Sequence, residues 1–416
     1  MASPFQEFVL TSSPDGPIIA YDASSGATLA YFTGSRSPRR GLTLTGKSLI
    51  AASHISSTSA SGSIHLYNWW SSTAYHQLPL PEPVAPLAAT PDGMYLFAGG
   101  LFGNIHTLAL PSGNLLKSFM AHSKPVSCLE IIDDGSILIS GGDDGTIVVS
   151  TVFKLLTASS NENANDFILH RIVAHAASVT AIKTSMGGCN SIIISCSLDC
   201  KCKFWSLLQG TPLRTVTFPC AIWGVAMDPL ESEFYAAGSD GFVYSGALKV
   251  VSRQLVSRGY NELVTWAQRH CGAVISVAVV HEGRHLISAS EDGGVWVWEV
   301  ESRRVINALG NEIVGISDLV VAKRIGDGRG HAGGRFGSGT NESGCSSFGF
   351  SGRELSSPVR GITEMGGMLS VVGKDRSRAI DMLESAIGMY ERLLELILKE
   401  AKGGTSSKQS NEQDKD

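Results

Sequence analysis

Three residue sets in this chain have the types and spacing that chemistry demands. His270, Ser288 and Asp292 are the members of a Ser-His-Asp set, in which the acid orients the imidazole and the imidazole activates the hydroxyl. Cys196, Cys200 and Cys202 form C-x3-C-x-C, and thiolates bind zinc. Ser35 to Arg40, "SRSPRR", is a compact basic run of the kind that contacts nucleic-acid phosphates.

Each set also has a plainer reading. The same trio recurs as His175, Ser195 and Asp199, and recurrence is expected of architecture, not of a single active site. Zinc sites pair one C-x2–4-C with a second pair, and no second pair is evident, so small core and turn positions are the alternative. The basic run lacks the aromatic interleaving of a base-stacking surface and reads otherwise as a solvated loop. There is no G-x-x-x-x-G-K-[ST] loop and no H-E-x-x-H, and "GGRFGSG" reads as linker. No catalytic, cofactor or metal site is expected.

The elements that hold these residues form a repeat. A small residue, a turn position and an alternating apolar run recur around Gly16, Gly62, Gly103, Gly145, Cys200, Gly241 and Gly293, 41 to 55 residues apart. Asp-Gly between alternating apolar runs is a strong hairpin signal. A third strand precedes each hairpin in runs such as "VSCLEII", "VTAIKTS" and "VISVAVV". In "VWVWEV" the period of two sends Val295 and Val297 to one face and Trp296 and Trp298 to the other. The spacing fits the ~40–45 residues of a propeller blade with loop insertions. Seven units predict an all-β, seven-bladed β-propeller over residues 1–322. The chain opens on "EFVLTSS", a second strand without a first, and "EIVGISDLVVA" is a first strand without a second. Residues ~313–321 are therefore expected to complete the blade begun by residues ~7–32, because closure removes exposed strand edges.

These units resemble WD repeats (the WD40 family). In that family a His before the first strand, a Ser or Thr in the second, an Asp in the turn and a Trp in the third form a hydrogen-bonded tetrad. Two units carry matching sets: His175, Ser195, Asp199 and Trp205, and His270, Ser288, Asp292 and Trp298. A third is partial, with His122, Ser140 and Asp144 but Ser150 at the Trp position. The resemblance implies a structural role for all of them. A buried Asp without partners costs several kcal/mol, and the tetrad supplies partners.

Residues 323–373 are rich in Gly, Ser and Arg and read as a flexible linker. Residues 374–402 change to helical periodicity. Ile380, Leu383, Ile387, Tyr390, Leu394 and Ile397 step by threes and fours, a heptad a/d seam that must dock on something. Self-association, a partner's groove and the chain's own propeller are the three choices. Residues 403–416 read as a disordered tail.

Net charge is −5 and the pI about 6.1, so no global field draws the chain to nucleic acid or membrane. The N-terminus lacks a basic region followed by an apolar run, and no apolar stretch is long enough to span a bilayer. The chain reads as intracellular, with its eight cysteines as thiols.

Across nearly the whole chain, with "MASPFQEFVLTSSPDGPIIAYDASSGATL" and "RSRAIDMLESAIGMYERLLELILKE" carrying the likeness, the sequence resembles the WD-repeat subunits of the pre-60S ribosome-assembly complex. That resemblance implies a nuclear or nucleolar, non-enzymatic scaffold in large-subunit rRNA processing, with a role in meristems in plant members. It also implies a helical-repeat partner and a homodimer formed through the tail. Rival expectations are a cullin-type ubiquitin-ligase receptor, a signalling WD-repeat adaptor and a propeller hydrolase. Many ligase receptors carry Trp-Asp-x-Arg, whereas the stretches here are "WSLL" and "WEVE".

Overall fold

The computed structural model describes residues 6–324, apart from 47–48, 56–60, 158–166, 249–262 and 311–314. The chain divides into two units, 1–331 and 332–416, and every described residue lies in the first. The expected linker beyond Arg324, the helix 374–402 with its seam, and the tail 403–416 lie outside the described residues.

Seven four-stranded antiparallel sheets form the blades of a propeller. Blades two to seven each use consecutive strands, within residues 42–80, 84–120, 126–173, 179–217, 222–265 and 274–309. Blade one is built from both ends of the ring. Its inner strand, Asp318–Arg324, pairs antiparallel with Gln6–Ser12, which continues into Ile18–Asp22 and Thr28–Phe32. The closing strand starts later and runs further than the expected 313–321. Gly315 turns the chain at φ 81°, and the ladder begins only where Ser317 N–H donates to Ser12 O at 2.8 Å.

Alternation along the strands divides the core into seven clusters, one between each pair of neighbouring blades. In blade seven, Val295 and Val297 pack toward blade one, and Trp298 with the partly buried Trp296 packs toward blade six. The period of two in "VWVWEV" thus becomes two different interfaces.

The hairpin turns confirm most of the repeat. Gly103, Gly145, Gly241 and Gly293 take positive φ, and Cys200 does so at φ 62° in the glycine position. At Gly103 a side chain is also excluded by its neighbour, since a Cβ there would stand 2.1 Å from the His122 carbonyl oxygen. Gly62 departs from the expected pattern. It begins the strand Gly62–Asn68, where a Cβ would come within 2.4 Å of Glu82 O.

The inner strands surround a channel with a cavity of about 450 Å³. Asp318, at one end of it, is buried. Its Oδ2 accepts from Leu42 N–H at 3.2 Å and its Oδ1 from Leu319 N–H at 2.8 Å. Burial raises its pKa to about 6 against the opposing pull of the Arg40 charge. A carboxylate so placed is costly when ionised. Asp318→Asn is expected to be more favourable to the ring at pH 7.5 than at pH 4.5, by about 1–3 kcal/mol, as read by urea unfolding at both.

Candidate functional site: tetrads, strap and channel

The structure brings the four residues of each full set together, as an unbroken hydrogen-bonded chain in blade five and with one open link in blade seven. In blade five, Trp205 Nε1–H donates to Ser195 Oγ at 2.9 Å, and Ser195 Oγ lies 2.8 Å from His175 Nε2. His175 Nδ1 stands 3.0 Å from Asp199 Oδ2. In blade seven, Trp298 Nε1–H donates to Ser288 Oγ at 2.8 Å, and His270 Nε2 is 2.7 Å from the same oxygen. The last link is looser there. Asp292 Oδ1 is 3.9 Å from His270 Nδ1, and the Asp292 carboxylate instead accepts from the backbone of Cys271, Gly272 and Gly294. In blade four, His122 Nε2 meets Ser140 Oγ at 2.9 Å, and its Nδ1 meets Thr146 Oγ1 at 2.9 Å and Asp144 Oδ1 at 3.2 Å.

A Ser-His-Asp set needs an exposed nucleophile. Ser195 and Ser288 are both 0% exposed, and each hydroxyl oxygen already accepts from an indole N–H. With Nε2 accepting the serine proton, the imidazole carries its own proton on Nδ1, toward the acid. The geometry orders a blade and offers nothing to a substrate.

Electrostatics agree. Burial lowers the pKa of His122 and His175 and brings His270 down to about 4, against the pull of the neighbouring Asp in each case. The sign follows directly: the unfolded chain binds protons between about 6.5 and 4 that the folded chain refuses, so stability falls as pH falls through that window. His270 alone contributes about 3 kcal/mol to this loss. Protonation of Asp318 works the other way. The unfolding midpoint is therefore expected to drop between pH 7 and pH 4.5, and to drop more steeply in Asp318→Asn, where the offset is gone.

Several arrangements escaped the sequence reading. In blade three an acid and a histidine exchange places: Glu82 precedes the inner strand and His106 lies on the third. His106 Nε2 is 2.9 Å from Glu82 Oε1, which also accepts from Asn104 Nδ2 at 2.8 Å, while Phe102 N–H donates to Oε2 at 2.7 Å. In blade six, Trp266 Nε1–H donates to the buried Ser245 Oγ at 3.0 Å, so the tryptophan comes from just beyond the outer strand and not from the third.

The cysteine and basic runs also resolve. Cys196 and Cys202 are cross-strand partners joined as a disulfide, which corrects the expectation that all eight cysteines are thiols. The pairing leaves Cys200 at the turn, and among the described residues no group of three or more His, Cys, Asp or Glu is placed to hold a metal. The two arginines that end "SRSPRR" bind within the protein. Arg39 stacks 3.9 Å from the Trp223 ring and pairs with Glu291, and Arg40 donates to Trp223 O at 2.9 Å. They form a strap from blade two to blades six and seven, across the channel end where Asp318 lies. The channel carboxylates a hydrolase would need are engaged: Glu130 pairs with Lys183 at 2.5 Å, and Asp318 is held by two backbone amides. No helix among the described residues is long and apolar enough to cross a membrane.

Seven closed blades, two of them carrying His-Ser-Asp-Trp sets, define a WD-repeat β-propeller, and the chain belongs to the WD-repeat family. Residues 113–149, 167–206 and 262–299 match the WD domain, G-beta repeat, which takes in the three units with the histidine-centred networks. Within that family the chain is 36% identical to Protein ROOT INITIATION DEFECTIVE 3 of Arabidopsis thaliana, over 72% of this chain and 68% of the relative. It is 29% identical to WD repeat-containing protein 18 of Homo sapiens, over 74% and 71%. It is 25% identical to Pre-rRNA-processing protein IPI3 of Yarrowia lipolytica, over 73% and 72%.

Proposed function

We propose that this chain is a non-catalytic scaffold of nuclear ribosome biogenesis, acting in large-subunit pre-rRNA processing and pre-60S maturation. The observation that carries the proposal is similarity to relatives named as pre-rRNA-processing proteins, at 25% and 22% identity over 73% and 70% of this chain. Buried tetrads and an engaged channel support a role in presenting surfaces, since a propeller fold by itself names no activity. We extend the proposal to a developmental role in plant meristems, to be tested separately; what favours it is similarity to a plant protein named for root initiation, Protein ROOT INITIATION DEFECTIVE 3.

The test is affinity purification of the full chain with mass spectrometry. Recovery of helical-repeat assembly factors and pre-60S proteins is expected. Recovery of a cullin and its adaptor without them would replace the proposal with a ligase-receptor function.

The heptad seam of residues 374–402 extends the proposal to a homodimer. Charges at Leu383, Ile387 and Leu394 are expected to halve the mass measured by light scattering while leaving the unfolding midpoint of the ring unchanged. A mutant that still dimerises contradicts the helix as the dimer element.

A further inference from the structure

The inner strands of blades three to seven end, away from the tetrad histidines, in short loops that touch from blade to blade. A Cβ at Gly135 would stand 3.0 Å from Pro91, and one at Gly188 would stand 3.2 Å from Asp134 Oδ2. Met186 N–H donates to Glu231 Oε1 at 2.6 Å, and a Cβ at Gly283 would lie 2.7 Å from Asp228 Oδ1. The loops thus form a rim around one mouth of the channel.

Two independent properties mark this rim. Leu230, Met186 and Met94 stand 80%, 69% and 54% exposed on it. The residues that line the cavity toward this mouth include Ile131, Met227, Pro229, Val279 and Val321. The same loops carry Asp92, Asp133, Asp134, Glu231 and Glu282. Against them, the described rim loops carry Arg284, the inner strand of blade one ends on this side in Lys323 and Arg324, and Lys183 just within is already paired with Glu130. Exposed methionine and leucine beside a cavity mouth that includes apolar side chains suit an adaptable protein contact. The surrounding charge selects its sign.

We propose that this rim docks a lysine- and arginine-rich segment of a partner protein, with one bulky apolar side chain of that segment seated in the channel mouth. The opposite mouth is crossed by the Arg39–Arg40 strap, so entry is from the rim side. Apolar insertion fixes position and the carboxylates hold the basic flanks. The proposal does not depend on the role in ribosome biogenesis.

The test places a benzophenone photo-crosslinker at Leu230 of the full chain, irradiates it in cell extract and sequences the crosslinked peptides. Attachment to Lys/Arg-rich segments of other proteins is expected. The yield should fall at least fivefold in Asp133→Lys/Glu282→Lys, and likewise for the otherwise unaltered charges in 0.5 M salt, where screening is severe. The salt arm keeps the test valid should the charge reversals unfold the ring. Attachment to neutral or acidic segments, to this chain's own residues or to a second copy overturns the proposal. So does an absence of crosslinks, or a yield indifferent to both charge and salt.

Discussion

Deletion of residues 318–324 is expected to destroy the cooperative unfolding of the ring. This strand is the inner strand of blade one and pairs with Gln6–Ser12 over seven positions. It carries Leu319, Val320, Val321 and Ala322, and with Ile316 it helps cover Val9 and Leu10, both 0% exposed. Burial of a Val or Leu side chain stabilises by ~1.5–3 kcal/mol, so losing several approaches the ~5–15 kcal/mol that holds a domain together. The deletion also removes the Asp318 contact to Leu42 and leaves a strand edge bare. Urea unfolding followed by tryptophan fluorescence, with size-exclusion chromatography, should give aggregates or a broad transition. A monomeric product with an unchanged midpoint contradicts closure by this strand.

Trp298→Ala is expected to be the most damaging single substitution in the networks, at about 3–5 kcal/mol. Trp298 is 1% exposed, donates to Ser288 and packs edge-on against Trp266 with centroids 5.6 Å apart. Its removal opens a cavity between blades six and seven and deprives Ser288 of a donor. Trp298→Phe retains most of the apolar contact and loses the N–H, for a cost nearer ~1–2 kcal/mol. Trp70 is 83% exposed, and Trp70→Ala should stay within ~0.5 kcal/mol. Equal effects at Trp70 and Trp298 in the same denaturation assay would contradict the network's structural role.

What the sequence disclosed follows from how local each device is. A tetrad needs fixed residue types at short, fixed offsets, so Ser195, Asp199 and Trp205 were legible within one hairpin, and His175 just ahead of it. Glu82 and His106 do the same work with exchanged chemistry, and a search for His ahead and Trp behind passes over them. An acid immediately before an inner strand, with a polar ring facing it from the third, was the available signal. Trp266 was missed because its indole reaches Ser245 from a segment outside the repeat pattern. The Cys196–Cys202 pairing was readable in principle, since hairpin register places them opposite one another. Expectation about compartment argued against it. The strap was not readable, because Arg40 and Arg39 find partners 183 and 252 residues away, across the finished ring. A charge run in sequence does not say whether its partners are inside or outside the molecule.

The triad-like hydroxyls of Ser195 and Ser288 are buried, each between an indole and an imidazole of its own blade. The proposed scaffold role in large-subunit maturation is the claim that matters most. Its most direct test is depletion of the protein followed by sucrose-gradient profiling and hybridisation of pre-rRNA. The account predicts a fall in free 60S subunits relative to 40S, with accumulation of large-subunit rRNA precursors. An unchanged 60S to 40S ratio with normal precursors would contradict it.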